Sequence, residues 1–166
     1  MLVLMDASPV DRSPLPAAFE AQVEALLGPE ADELLAALRR PRVRGVRGNP
    51  AKVSLDELAA LLGAALEPLP WCGDGAVLAE DSGRSGLGRH PAHLAGLCYL
   101  QEPSSMAAAT ALAPEPGWRV IDLAAAPGGK TTQLSALVGP TGLVVANEVV
   151  GSRLRALHDN LDRWGA

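Results

Sequence analysis

The chain has 166 residues, of which 48% are hydrophobic and 20% charged, a composition that builds a core and excludes wholesale disorder. Its length suits one domain with at most a small appendage. A net charge of −5 excludes a uniformly basic nucleic-acid binder. The longest uncharged stretch, between Lys130 and Glu148, is broken by Gly139, Pro140 and Gly142, so no membrane span is expected.

Met1 to Arg12 places no basic residue ahead of its short apolar run, which is not the layout of a secretory signal, and the chain reads as cytoplasmic. Residues 1–13 have no period and run into Ser13-Pro14-Leu15-Pro16, so they are expected to be a loose extension. Phe19, Val23, Leu26 and Leu27 recur at helical spacing until Gly28-Pro29. A second short helix carries Leu34, Leu35 and Leu38 and ends at Pro41. Arg42 to Arg47 reads as extended, closed by the turn Gly48-Asn49-Pro50.

Ser54 with Glu57 is a capping-box pattern, and it opens a helix carrying Leu55, Leu58, Leu61, Leu62 and Leu66 that must stop before Pro68. Five glycines from Gly73 to Gly88 then suggest a linker. The expected organisation is therefore an extension over 1–13, a helical and α+β region over 14–72, a glycine-rich linker over 73–91, and an α/β domain from 92 to 166. In that last segment the pattern predicts a helix from Pro103 to Ala113, a strand from Trp118 to Leu123, a helix from Lys130 to Val138, a strand from Leu143 to Asn147 and an amphipathic helix from Ser152 to Trp164. Strand, helix, strand, helix implies a parallel α/β sheet.

Six of the fourteen basic residues fall between Arg39 and Lys52, where there is no acid. This run is either an RNA-facing patch or a solvated face. Cys72 and Cys98 make no metal-ligand spacing and read as small buried residues without chemistry; His90, His93 and His158 are isolated, so no metal is assigned.

The chemistry lies in Asp122-Leu123-Ala124-Ala125-Ala126-Pro127-Gly128-Gly129-Lys130-Thr131, which runs from a strand through small residues into a helix. Small residues admit a ligand close to the backbone, and a helix N-terminus offers unpaired N–H groups to an anion. Glu148, 20 residues after Gly128, ends the next strand, where nucleotide-binding βαβ units place an acid that accepts ribose hydroxyls. Asp122 reads as serving loop geometry. The competing reading is a phosphate loop, since Gly129-Lys130-Thr131 fits G-x-x-x-x-G-K-[ST]; Ala124 in place of the first glycine and Pro127, which removes an N–H, count against it.

These residues resemble the NOL1/NOP2/Sun group of RNA cytosine-5 methyltransferases, in particular its bacterial ribosomal RNA enzymes. Asp122 to Thr131 matches the group's cofactor motif and Glu148 its next acid, and Arg153, Asn160, Arg163 and Gly165 repeat the spacing that follows. Tyr99 to Met106 matches its Gln-Glu-Pro-Ser segment, and Arg47, Asn49 and Lys52 match its Arg-x-Asn-x-x-Lys element. The resemblance implies an incomplete Rossmann-like, S-adenosylmethionine-dependent methyltransferase domain preceded by a small α+β RNA-contacting region. It implies that Ala124, Ala125, Ala126, Pro127, Gly128, Gly129 and Lys130 hold the methionine part of S-adenosylmethionine, that Glu148 holds its ribose, and that Arg44, Arg47 and Lys52 face ribosomal RNA.

The group's two reactive cysteines lie further along the chain than residue 166, one after a proline and one between threonines. Neither Cys72 nor Cys98 has that context, so no catalytic residue is assigned and the 166 residues alone are expected not to methylate RNA. A missing C-terminal half is the expected partner. The alternative is a non-catalytic cofactor- or RNA-binding module. Two strands with bare edges should leave Val120, Val144, Val145, Leu154, Leu157 and Leu161 short of partners and make the isolated chain poorly soluble.

Overall fold

The computed structural model describes residues 15–40, 43–79 and 86–166; the expected extension over 1–13 and residues 80–85 of the expected linker lie outside the described residues. The chain forms two compact units, Met1–Arg42 and Val43–Ala166. In the first, α1 (Ala17–Leu27) and α2 (Ala31–Leu38) are joined by a 3-10 turn at Gly28–Glu30. Val23, Ala31 and Leu35 are its buried core, with Leu15 packed against them. Of the residues whose spacing predicts these helices, Phe19, Leu26, Leu27, Leu34 and Leu38 remain exposed. Arg39 pairs with Glu20.

The second unit opens with β1 (Gly45–Gly48), then α3 (Leu55–Leu62), β2 (Leu66–Leu69) and β3 (Cys72–Leu78). Beyond a 3-10 turn at Leu87–Arg89 come α4 (Pro91–Leu94) and β4 (Cys98–Leu100). The four strands form one antiparallel sheet in the order β2-β3-β1-β4. Val46, Leu58, Ala76, Leu78, Ala92 and Cys98 make its core. The capping box is present, Ser54 accepting from the Glu57 backbone and Glu57 from that of Ser54.

Two expectations need correction. The helix begun at Ser54 does not reach Leu66: Gly63, at φ +59, caps it in the left-handed region, and Leu66 belongs to an edge strand whose register shifts between Pro68 and Leu69. The segment from Gly73 is not a linker, because Cys72–Leu78 is an interior strand. Gly75 marks close packing: a Cβ there would lie 2.8 Å from Met106 Sδ and 3.0 Å from both Cys72 Sγ and Leu69 Cδ1.

After β4 the chain turns to the expected α/β pattern, with α5 (Pro103–Leu112), β5 (Arg119–Asp122), α6 (Gly129–Val138), β6 (Leu143–Ala146) and α7 (Gly151–Trp164). β5 and β6 are parallel, in register from Arg119–Leu143 to Asp122–Ala146. The Val43–Ala166 unit is one body because these elements are pressed onto the antiparallel sheet. Met106 of α5 is fully buried against Leu69 and Cys72. A Cβ on Gly45 would lie 2.3 Å from the Gln101 carbonyl oxygen.

Ile121, Leu123, Leu143 and Val145 are 57%, 69%, 52% and 49% exposed, so one apolar face of the parallel pair is bare. Leu157 departs from expectation. It is only 3% exposed, packed with Ala125 and Ala126. No helix among the described residues is long and apolar enough to cross a membrane.

Candidate functional site

The small-residue loop between β5 and α6 is shaped from within. Asp122 is buried; one carboxylate oxygen accepts the Thr131 hydroxyl at 2.7 Å and the other the Ala124 N–H at 3.3 Å. Ala125 N–H donates to the Asn147 carbonyl at 2.9 Å, and Gly128 N–H to the Ala125 carbonyl at 2.7 Å. Gly128 adopts φ +111 as the N-cap of α6, a conformation that leaves the first N–H groups of the helix pointing outward without intrahelical acceptors. The Ala126–Pro127 peptide is cis.

Side chains of α7 take up the loop's carbonyls. Arg153 Nη2 donates to Ala126 O and Asn160 Nδ2 to Pro127 O, each at 2.6 Å, while Asn160 also donates to the Tyr99 hydroxyl at 3.2 Å. Residues 153, 157, 160 and 164 share one helical face by their i, i+4, i+7 and i+11 spacing. That face carries Arg153 and Asn160 as well as buried Leu157 and Trp164. Sequence reading assigned no role to Arg153 or Asn160; the spacing was the signal available.

Glu148 lies just beyond β6. Its side chain is only 3% exposed, and Oε1 accepts the Val150 N–H at 2.9 Å. Oε2 lies 3.3 Å from Arg153 Nη1, close enough for an ion pair, yet receives no hydrogen bond. The Val150 N–H first, then Arg153 and the N–H groups of Ala126 and Val149, hold the carboxyl below its ordinary pKa against the opposing effect of burial. The site thus contains an ionised, sheltered acceptor beside a loop of small residues. Among the expected site residues, Ala125, Ala126 and Gly128 are buried, Gly129 half-buried, and Ala124, Pro127 and Lys130 exposed.

The expected RNA-facing residues divide. Arg44 is exposed. Lys52 is exposed too, but its ammonium donates to the Ala95 and Arg163 carbonyls at 3.2 and 2.9 Å, capping α4 and α7. Arg47 must be corrected: it is 0% exposed and faces the interior. Its Nε donates to Gln101 Oε1 at 3.0 Å, and its Nη2 to Thr132 Oγ1 at 2.6 Å and Gly129 O at 3.2 Å. The guanidinium carbon sits 4.3 Å from the Trp164 ring centroid and 5.9 Å from that of Tyr99. Burial lowers its pKa to about 10, opposed by Cys72, Asp74 and Tyr99, so at neutral pH it is an interior cation.

Both thiols are free and buried. Burial pushes that of Cys98 up to about 11 despite Arg163. The folded chain therefore holds this proton where the unfolded chain releases it. The stability so conferred is complete below pH 9 and lost as pH rises toward 11. Iodoacetamide at pH 8 is accordingly expected to leave Cys98 and Cys72 unmodified in the native chain and to label both in denaturant. Native labelling at the denatured rate, followed by mass spectrometry, would contradict their burial.

A cleft of about 720 Å3 opens between α6, β6 and α7, lined by Val138, Leu143, Val144, Leu161 and Trp164 among others. Neither Glu148 nor residues 124–130 line it, so it is separate from the loop site. Among the described residues no group of three or more His, Cys, Asp or Glu side chains is placed to hold a metal.

Residues 15–103 match the family described as the N-terminal domain of 16S rRNA methyltransferase RsmF, and residues 109–166 the family described as 16S rRNA methyltransferase RsmB/F. Among curated relatives, the ribosomal RNA small subunit methyltransferase F of Shewanella oneidensis is 46% identical over 140 residues, covering 81% of this chain and 29% of the relative. That of Serratia proteamaculans is 40% identical over 158 residues, covering 91% and 33%. A methyltransferase homolog protein from Pyrococcus horikoshii has the same fold at a TM-score of 0.78 and 36% identity, over 91% of this chain and 50% of that one. NSun6 from the same organism, 20% identical at a TM-score of 0.78, over 90% of this chain and 63% of that one, shares the fold. With both halves of its sequence matched in order and the loop, acid and α7 clamp in place, the chain belongs to the RsmF family of 16S rRNA methyltransferases, spanning about a third of the length of the curated relatives it matches.

Proposed function

We propose that this chain is the S-adenosylmethionine-binding part of an RNA cytosine-C5 methyltransferase that acts on ribosomal RNA in the cytoplasm. The observation that carries the reading is Glu148 Oε2, a sheltered acceptor at the mouth of the loop that has Arg153 Nη1 at 3.3 Å as an ion-pair neighbour but accepts no hydrogen bond. A buried polar atom left unmatched calls for a donor, and the hydroxyls of a ribose have that chemistry. Ala124, Ala125 and Ala126 keep the approach to the backbone open. The first N–H groups of α6, at Gly129 and Lys130, suit the carboxylate of an amino acid. Bound there, the cofactor supplies an electrophilic sulfonium methyl group.

A phosphate loop fits poorly. Such a loop needs successive N–H groups free for phosphate oxygens, whereas those of Ala124, Ala125 and Gly128 already have internal acceptors and Pro127 has none to offer. The Glu148 carboxylate beside the loop would repel phosphate. Calorimetry with S-adenosylmethionine, S-adenosylhomocysteine and magnesium ATP tests the choice, and tighter binding of ATP would overturn it. Glu148→Ala is expected to weaken both adenosyl ligands about 10- to 100-fold, the scale of a hydrogen bond to a charged group; unchanged affinity would mean that another residue takes the ribose.

Methyl addition at C5 of cytosine needs a thiolate to attack C6. Buried Cys72 and Cys98 are not placed for that, so the 166 residues are expected to bind cofactor without turnover. The bare face at Ile121 and Val145 is read as the seat of the part of the longer relatives that this chain does not cover. Residues from Pro103 onward form the cofactor half, with the antiparallel sheet ahead of them as its support. Arg44 and the exposed side of Lys52 remain the RNA-facing candidates, and Arg47 drops out of that role.

A further inference from the structure

Arg47 holds a charge where a neutral donor would make the same bonds. Its fork ties β1 to Gln101, just beyond β4 of the same sheet, and to two points of the cofactor half, Gly129 and Thr132 in the first turn of α6. Thr132 Oγ1 lies 2.8 Å from the Gly128 carbonyl oxygen, so the hydroxyl that receives Arg47 also pins the N-cap. Trp164 covers the guanidinium face, and Nη1 has no hydrogen-bond acceptor. No carboxylate among the described residues makes an ion pair with it.

This is an unfavourable place for a cation. The N-terminus of α6 already carries the positive end of the helix dipole, and Arg47 adds a full, desolvated charge within one turn of it. Desolvation of an ion is costly unless something compensates. Carbonyl and hydroxyl oxygens, an aromatic face and the field of the half-buried Asp74 carboxylate compensate in part. An anion at the outer side of the same turn would complete the balance. It would see the outward N–H groups of Gly129 and Lys130 and, behind them, the Arg47 charge in a medium that screens it poorly.

We infer that Arg47 is a positioning residue for the cofactor loop: it sets the first turn of α6 and raises its positive potential, so that this turn favours ligands bearing an α-amino-acid carboxylate. The inference rests on the adenosyl-ligand reading given above. Arg47 touches no ligand; it acts through Gly129 and Thr132.

A pair of ligands separates this role from mere support of the fold. S-adenosylhomocysteine and 5′-methylthioadenosine share the adenosine and the thioether, and only the first has the amino-acid carboxylate. Arg47→Met is expected to weaken S-adenosylhomocysteine about tenfold or more, the scale of one charge interaction in a part-buried setting, and to change methylthioadenosine less than about twofold. Arg47→Lys, which keeps the charge and loses the fork, should recover part of the difference. Should Arg47→Met fail to fold, Thr132→Val removes the hydroxyl through which Arg47 acts and should lower the same ratio.

Equal loss for both ligands in the folded variants would mean that Arg47 only supports the fold, and the inference would be wrong. An unchanged ratio in a folded Arg47→Met would also overturn it. Absence of S-adenosylhomocysteine binding by the parent chain, at concentrations where its melt shows it folded, would instead sink the cofactor reading itself.

Discussion

Gly96→Ala is expected to be the most damaging single methyl in the chain, lowering stability by more than about 4 kcal/mol or preventing folding altogether. Gly96 sits at φ +67, and a Cβ there would lie 1.8 Å from the Arg163 carbonyl oxygen and 2.6 Å from its carbonyl carbon. Left-handed backbone costs an alanine about 1 kcal/mol; the overlap costs far more, because both Arg163 atoms are backbone and cannot rotate aside. The turn after α4 and the last turn of α7 would have to part. Gly73→Ala is the control, since nothing lies within 4 Å of its added Cβ, and it should stay within about 0.5 kcal/mol of the parent. Urea titration followed by circular dichroism measures both, and a Gly96→Ala midpoint close to that of the control would refute the packing described here.

The same junction makes Asn49 the next most costly side chain to shorten. It is 1% exposed, and its amide nitrogen donates to Gly96 O at 3.0 Å and Trp164 O at 2.9 Å, while Oδ1 accepts the Ala51 N–H at 3.2 Å. Truncation leaves two buried carbonyls unmatched, at about 1 to 3 kcal/mol for each. Asn49→Ala should therefore destabilise by about 3 to 4 kcal/mol. Asn49→Asp should do more harm still, although it is nearly isosteric, because it turns a carboxylate oxygen toward two carbonyl oxygens. An order of stability with aspartate above alanine would show that the amide does not donate as described.

The parallel half was readable because each of its elements carries its own boundary signal. Lys130 to Val138 and Ser152 to Trp164 came out within a residue of α6 and α7, since glycines flank both. In the antiparallel half, β1 and the start of α3 carry local signals, but the other three strands were not readable from local pattern. β2 contains a proline, β3 two glycines and β4 only three residues, and each owes its strand to partners elsewhere in the sequence. Gly75 in β3 has the look of freedom in the sequence, but in the fold it records crowding by Met106.

The loop and Glu148 were legible because their chemistry depends on spacing along the chain. Arg47 was not, since an arginine in a basic run has the look of a solvated residue whatever its burial. Flanking Gly45 and Gly48, both buried with it, were the local hint that this strand has no outer side.

The clamp on the end of α7 also constrains the order in which the chain can fold during synthesis. Arg47 meets Thr132 across 85 positions and Asn49 meets Trp164 across 115. A chain emerging from the ribosome must therefore carry Arg47 uncovered until nearly all of the Val43–Ala166 unit has been made, even after β4 has emerged to pair with β1. Closure of such distant contacts is slow relative to helix formation. α3 and its capping box can form at once and β1 can pair with β3 and β4 as they emerge, but the interior around Arg47 is completed only when Trp164 arrives to cover it.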